Sequence, residues 1–281
     1  MSQIKQQTIA GQFTLEGVGI HSGDASRLTV KPASEGGIRF KRMDIDGNPE
    51  FPADLDFVQE TDRGTNLGAG EVRIMTVEHI MGSLMASEVD HALIELSGNE
   101  IPILDGSFQP FCNAITAVGL RKLSSNAEVL HISRNLDIEC DSGATYRVSP
   151  GINLQISAQI DFAHSAIGRQ SGVFKINPNT FGSKIAAART FGFESDVEYL
   201  RARGLARGAS LENAIVLGDT GVINGQLRFK DEFLRHKVGD LLGDLALIGK
   251  RIRANISCEK PGHEGNIKMA RFLRDRVKSN D

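Results

Sequence analysis

His236, Asp240 and Asp244 fall at i, i+4 and i+8 in RHKVGDLLGD, a spacing that lines them along one face of a helix. An imidazole and a carboxylate one turn apart can hold a divalent ion. They can equally form a capping or salt-bridge pair on a solvated face, and Phe233, Leu241 and Leu245 leave both readings open. A second candidate is Thr76-Val77-Glu78-His79, ahead of the apolar stretch IMGSLMA. A carboxylate beside an imidazole suits a hydrolytic metal site, one group binding the ion while its neighbour takes a proton from water. The alternative is a first-turn acid favoured by the helix dipole and a partly buried histidine. Third, Lys260-Pro261-Gly262-His263 presents a histidine on a tight turn. His263-Glu264 begins like HExxH, but Ile267 stands where the second histidine belongs, so that motif is absent. Jointly, two imidazoles and one carboxylate suffice for a catalytic zinc with its fourth position open to water. His91 and His131 sit in strand-like runs and read as structural, whereas His21 in GVGIHSG and His164 in DFAHSA have turn-like settings and could line a cleft.

These side chains need elements to carry them. Thr76 reads as an N-cap for a helix through VEHIMGSLMAS, with Glu78 and His79 in its first turn. Strands are expected at Gln12 to Val18, Leu28 to Lys31, Ile38 to Arg42, Val72 to Met75 and His91 to Ser97, then a helix over Phe108 to Val118. The polar stretch LSSNAE, Leu123 to Glu128, reads as a linker. Beyond it, Leu154, Ile156, Ala158, Ile160 and Phe162 alternate as in a half-buried strand, and Asn177-Pro178 opens a helix running to about Arg189. Helices at Asp231 to Ile248 and about Glu264 to Val277 complete the second unit. The expected domains are 1–123, with Glu78 and His79, and 129–281, with His236, Asp240 and His263. Each half reads as strands followed by helices, without a residue-level repeat.

Composition narrows the class. The chain of 281 residues is 40% apolar, enough for an ordinary core, and 35 acidic against 32 basic residues leave a net charge of −3. No basic run suggests nucleic acid. Cys112, Cys140 and Cys258 are odd in number and far apart, which fits a reducing cytoplasm better than a disulfide framework. No run of about 18 apolar residues predicts membrane insertion. Nothing calls for an obligate partner, so a monomer is expected.

TVEH (76–79), PILDGS (102–107), ARTFGF (188–193), RFKDEFLRHKVGDLLGD (228–244) and PGH (261–263), with GVGIHSG (17–23) upstream, occur in this order. With them the chain resembles the UDP-3-O-acyl-N-acetylglucosamine deacetylases of lipid A biosynthesis, from near its start to about His263. The resemblance implies an α+β fold of two similar domains, each a β-sheet with two helices, the helices sandwiched between the sheets. It implies one zinc ion held by His79, His236 and Asp240, with Glu78 as general base and His263 as general acid supported by Asp244. Thr190 would help hold the oxyanion. The implied substrate is a UDP-linked, acylated N-acetylglucosamine, deacetylated to acetate and a free amine.

The same resemblance places Asp161 and Phe162 at the uridine end, Lys237 and Lys260 at the diphosphate, and His21 at the cleft border. An inserted segment near 196–222 would form an acyl passage, with Leu205, Ala209, Leu211, Ala214, Ile215 and Val216 as apolar wall and Phe191 and Phe193 as wall or core. Arg207 lies among these apolar residues, so it points outward or gives the passage a polar edge. TDRGTNL (61–67) is more charged than a loop beside an acyl chain should be, which leaves chain-length preference open. Two other readings also stay open: a same-fold metal amidohydrolase acting on another N-acyl sugar, and a non-catalytic protein that binds UDP-sugar or lipid.

Overall fold

The computed structural model describes residues 4–278. Its helices are α1 (Glu78–Ala86), α2 (Gln109–Val118), α3 (Pro178–Lys184), α4 (Val197–Ala202), α5 (Glu232–Ala246) and α6 (His263–Lys278). Two sheets dominate. One has the spatial order Phe13–Val18, Ala25–Pro32, Ala92–Ser97, Ile38–Arg42, Glu50–Pro52. The other runs Leu136–Glu139, Thr145–Pro150, Arg251–Glu259, Leu154–Asp161, Arg169–Lys175. In both, the strand latest in sequence is central, antiparallel to one neighbour and parallel to the other, with antiparallel pairs outside. Each central strand lies between two helices in sequence, α1 and α2 in the first half, α5 and α6 in the second. A further parallel pairing recurs: Thr8 bridges His91, and Val129–His131 pairs with Arg251–Arg253. The halves share one topology although their residues do not repeat.

The result is the expected α+β sandwich. Of the nine residues of α1, only Met85 is not buried, and α5 is buried over most of its length. Burial around the whole circumference is what a helix packed between two sheets requires. The two helices cross closely because glycines face each other: a Cβ on Gly82 would lie 3.1 Å from the Gly239 carbonyl oxygen, and one on Gly243 only 2.2 Å from that of Glu78. No side chain fits between them there. Smaller elements finish the chain: Lys5–Ile9 pairs with Leu120–Asn126, and Phe191–Phe193, Ile215–Gly218 and Gly221–Val222 form a small sheet. The three cysteines are free, and among the described residues no helix is long and apolar enough to cross a membrane.

Three local expectations need correction. Thr76 is not the cap of α1: its φ is +59°, and its hydroxyl donates to Glu100 Oε1 at 2.8 Å, while Val77 precedes the first helical residue. The helix opened by Asn177 is capped as expected, Asn177 Oδ1 accepting from Thr180 N–H at 3.0 Å, but stops at Lys184. Ile185, Ala186 and Ala188 are buried in the turns that follow, leading the chain to Thr190. The polar stretch from Leu123 is extended as far as Asn126; the strand Leu120–Asn126 is exposed along nearly its whole length and so shows no apolar alternation.

Candidate metal centre

Three elements meet at the sandwich centre. The start of α1 supplies Glu78 and His79, α5 supplies His236, Asp240 and Asp244, and the first residue of α6 supplies His263. All six are at least nine-tenths buried. His236 Nε2 lies 3.2 Å from Asp240 Oδ1 and His79 Nε2 lies 4.0 Å from the same oxygen. Ligand atoms about 2.1 Å from a tetrahedral ion stand about 3.4 Å apart, so this trio has the right dimensions. One ligand atom from each of the three residues falls within 4.8 Å of the others. The solvated-face reading of the α5 stripe is thereby excluded.

The proton inventory points to a cation. His236 Nδ1 lies 3.1 Å from the Ala188 carbonyl, which can only accept, so Nδ1 carries the hydrogen. Burial lowers the His236 pKa and keeps the ring neutral, leaving a lone pair on Nε2 that faces the Asp240 carboxylate. Two acceptors turned on each other in a buried site repel unless a positive ion lies between them. Asp240 Oδ1 accordingly has no hydrogen-bond partner among the described residues. Burial, reinforced by His236, lowers His79 to about 3, so this ring is also neutral. Burial would raise Asp240, but the cationic Lys237 and His263 beside it hold it below the usual carboxylate range. Neutral imidazoles with an ionised carboxylate are the protonation states a divalent metal needs.

Beside the trio, burial raises Glu78 to about 7 against the pull of His263. Thr65 N–H donates to its Oε2 at 3.0 Å. Burial alone would lower His263, but Asp244 and Glu78 outweigh it and raise this imidazole to about 9. Its Nδ1 lies 3.0 Å from Asp244 Oδ2, and its Nε2 is 3.9 Å from both Glu78 Oε1 and Asp240 Oδ2. Asp244 is held in turn by the Thr65 hydroxyl and, at 2.8 Å, by Asn266 Nδ2, whose own carbonyl oxygen accepts from Tyr146 at 2.7 Å.

Glu78, His79, His236, Asp240 and His263 form the floor of a cavity of about 230 Å³. Of the residues expected from sequence, Thr190, Lys237, Phe162, His21, Phe191, Phe193, Ala209, Ala214 and Val216 line it. Phe191 and Phe193 are wall and also pack on the core, Phe191 edge-on to Phe233 at 5.0 Å. Leu205, Leu211, Ile215, Asp161 and Lys260 do not line it, Ile215 being buried in the core. Leu211 is exposed, as are Asp161 and Lys260, which stand at the end of the paired strands Leu154–Asp161 and Arg251–Glu259, next to Phe162. His164 bonds the Gly218 carbonyl instead, His91 accepts from Gly37 N–H at 2.8 Å, and exposed Arg207 points outward. Sequence reading missed Thr65, Asn266 and Tyr146 behind His263, and Ile20, Ile103 and Arg63 in the walls; Asp196, Val197 and Leu200, also in the walls, lie in the stretch expected near 196–222. The charge in TDRGTNL was the available signal for Arg63.

The family model described as UDP-3-O-acyl N-acetylglycosamine deacetylase matches residues 6–275. Proteins called UDP-3-O-acyl-N-acetylglucosamine deacetylase are similar throughout. The one from Citrifermentans bemidjiense is 39% identical over 97% of this chain and 90% of its own length. That from Myxococcus xanthus is 40% identical over 96% and 86%, and that from Acinetobacter baumannii 37% over 96% and 91%. Fold, buried centre and sequence similarity agree, and the chain belongs to the UDP-3-O-acyl N-acetylglycosamine deacetylase family.

Proposed function

We propose that this chain is a zinc-dependent hydrolase that removes the N-acetyl group of UDP-3-O-acyl-N-acetylglucosamine, giving acetate and a free glucosamine amine. The observation that carries the reading is the His236 lone pair facing the orphaned Asp240 oxygen at the floor of a largely apolar cavity. His79, His236 and Asp240 would hold the ion. When bound, zinc makes water more acidic and polarises a carbonyl.

The chain's own residues account for the remaining work. Glu78, with a carboxyl near 7, takes a proton from the water that attacks the acetamide carbonyl. The Thr190 hydroxyl on the cavity wall donates to the oxygen that becomes negative. His263, held cationic by Asp244, gives a proton to the departing amine. Thr65 and Asn266 fix Asp244, and through it the ring orientation. The apolar walls suit an acyl chain, while Phe162 and Asp161 would meet the uridine end and Lys237 and Lys260 the diphosphate.

Elemental analysis joined to an acetate-release assay tests this reading. About one zinc per chain is expected, with turnover of the UDP-linked substrate that chelation abolishes and a UDP-free acetamido sugar used far less well. Absence of acetate release from the metal-loaded chain would overturn it.

A further inference from the structure

Asp62 and Arg63 are neighbours of opposite charge, and each meets an opposite charge on the inserted segment. Arg63 Nη2 lies 3.2 Å from Asp196 Oδ2, and Arg203 Nη2 lies 2.6 Å from Asp62 Oδ2. The pairs flank α4, one just before its first residue and one just after its last. Arg63 and Asp196 line the cavity together with Val197 and Leu200 of α4, whereas Asp62 and Arg203 do not line it. Just beyond α4 the segment is attached differently: Arg207 N–H and Gly208 N–H each donate at 3.1 Å to the backbone carbonyls of His21 and Ile20. The α4 wall therefore has one end pinned through backbone and another held by charged side-chain tips that are 34% to 44% exposed.

We propose that these two ion pairs are a latch that limits the length of acyl chain the cavity accepts. The proposal rests on the acyl-substrate reading above. A chain that ends against Val197 and Leu200 leaves the Arg63 guanidinium and the Asp196 carboxylate hydrated. A longer chain strips water from both, or must push α4 away from the 62–63 loop and break the pairs, and either costs free energy. Short chains are therefore favoured while the latch is closed. Asp62 and Arg203 are the informative positions, because neither side chain lines the cavity.

The test uses UDP-linked substrates graded in acyl length and reads the ratio of kcat/KM for the longest against the shortest. Arg203→Gln and Asp62→Arg should each raise this ratio about two- to fivefold, the scale of an exposed pair. The charge-swapped double variant D62R/R203D should restore the parent ratio. Higher salt should move the parent in the same direction as Arg203→Gln. Full activity on the shortest substrate certifies that each variant is folded. An unchanged ratio in both single variants, or a swapped variant that behaves like them, would overturn the latch. A metal-loaded parent inactive at every length would instead sink the deacetylase reading and the latch with it.

Discussion

Which nitrogen of each histidine carries a proton decides what the residue can do. His236 and His263 belong to the same centre, yet their Nδ1 partners differ: a neutral carbonyl for the first, the buried Asp244 carboxylate for the second. Burial leaves His236 neutral, and the carbonyl that holds its Nδ1 hydrogen turns the lone pair toward Asp240; the carboxylate keeps His263 charged and able to donate. The two roles separate under mutation. Asp240→Ala should empty the metal site and abolish turnover together. His263→Gln should retain about one zinc per chain while kcat falls about 10² to 10⁴-fold, the usual worth of a proton-transfer group. Metal content and kcat measured on the same preparations check this, and equal metal loss in both variants would contradict it.

At the scale of elements, the centre exists because α1 and α5 cross without side chains between them. Gly243→Ala places a methyl group 2.2 Å from the Glu78 carbonyl oxygen, so the helices must separate and carry Glu78 and His79 away from Asp240. A loss of about 1 to 3 kcal/mol is expected from overpacking, with a kcat deficit that persists well below the melting temperature. Gly182→Ala, in α3 with open space at its Cβ, should gain about 0.5 to 1 kcal/mol and leave kcat unchanged. Thermal melts and steady-state rates on both variants test the contrast. Sequence legibility divides along the same line. The stripe of His236, Asp240 and Asp244 was readable because helical period alone puts the three on one face. Thr65 and Asn266 were not, because their partner Asp244 lies 179 and 22 residues away and only the fold brings them together. Leu120–Asn126 escaped because a strand wet on both faces carries no period.

For the whole molecule, one topology used twice places a site where neither half could build it alone, Glu78 and one imidazole coming from the first half and the other candidate ligands from the second. The halves are also tied at their rims: Arg251 reaches Asp90 at 2.8 Å and Glu88 at 3.1 Å, and Arg274 reaches Asp54 at 3.0 Å and Asp56 at 2.6 Å. Acid should loosen the structure at identifiable carboxylates. The hydrogen-bonded Arg42 guanidinium lowers Asp44 from 3.8 to about 2. Because the folded value lies below the unfolded one, this contribution is complete above about pH 4 and disappears as pH falls through about 2. Denaturant melts of the parent and Asp44→Asn should therefore converge across that window, with a small gap above it because Asp44 is largely solvated.

The claim on which everything turns is that His79, His236 and Asp240 share one divalent ion. Anomalous diffraction at the zinc absorption edge, on crystals of the chain purified without chelator, addresses it directly. The account predicts one strong peak about 2.1 Å from a nitrogen of each of the two imidazoles and from an Asp240 oxygen. A peak elsewhere, or none there in crystals of active protein, would contradict it.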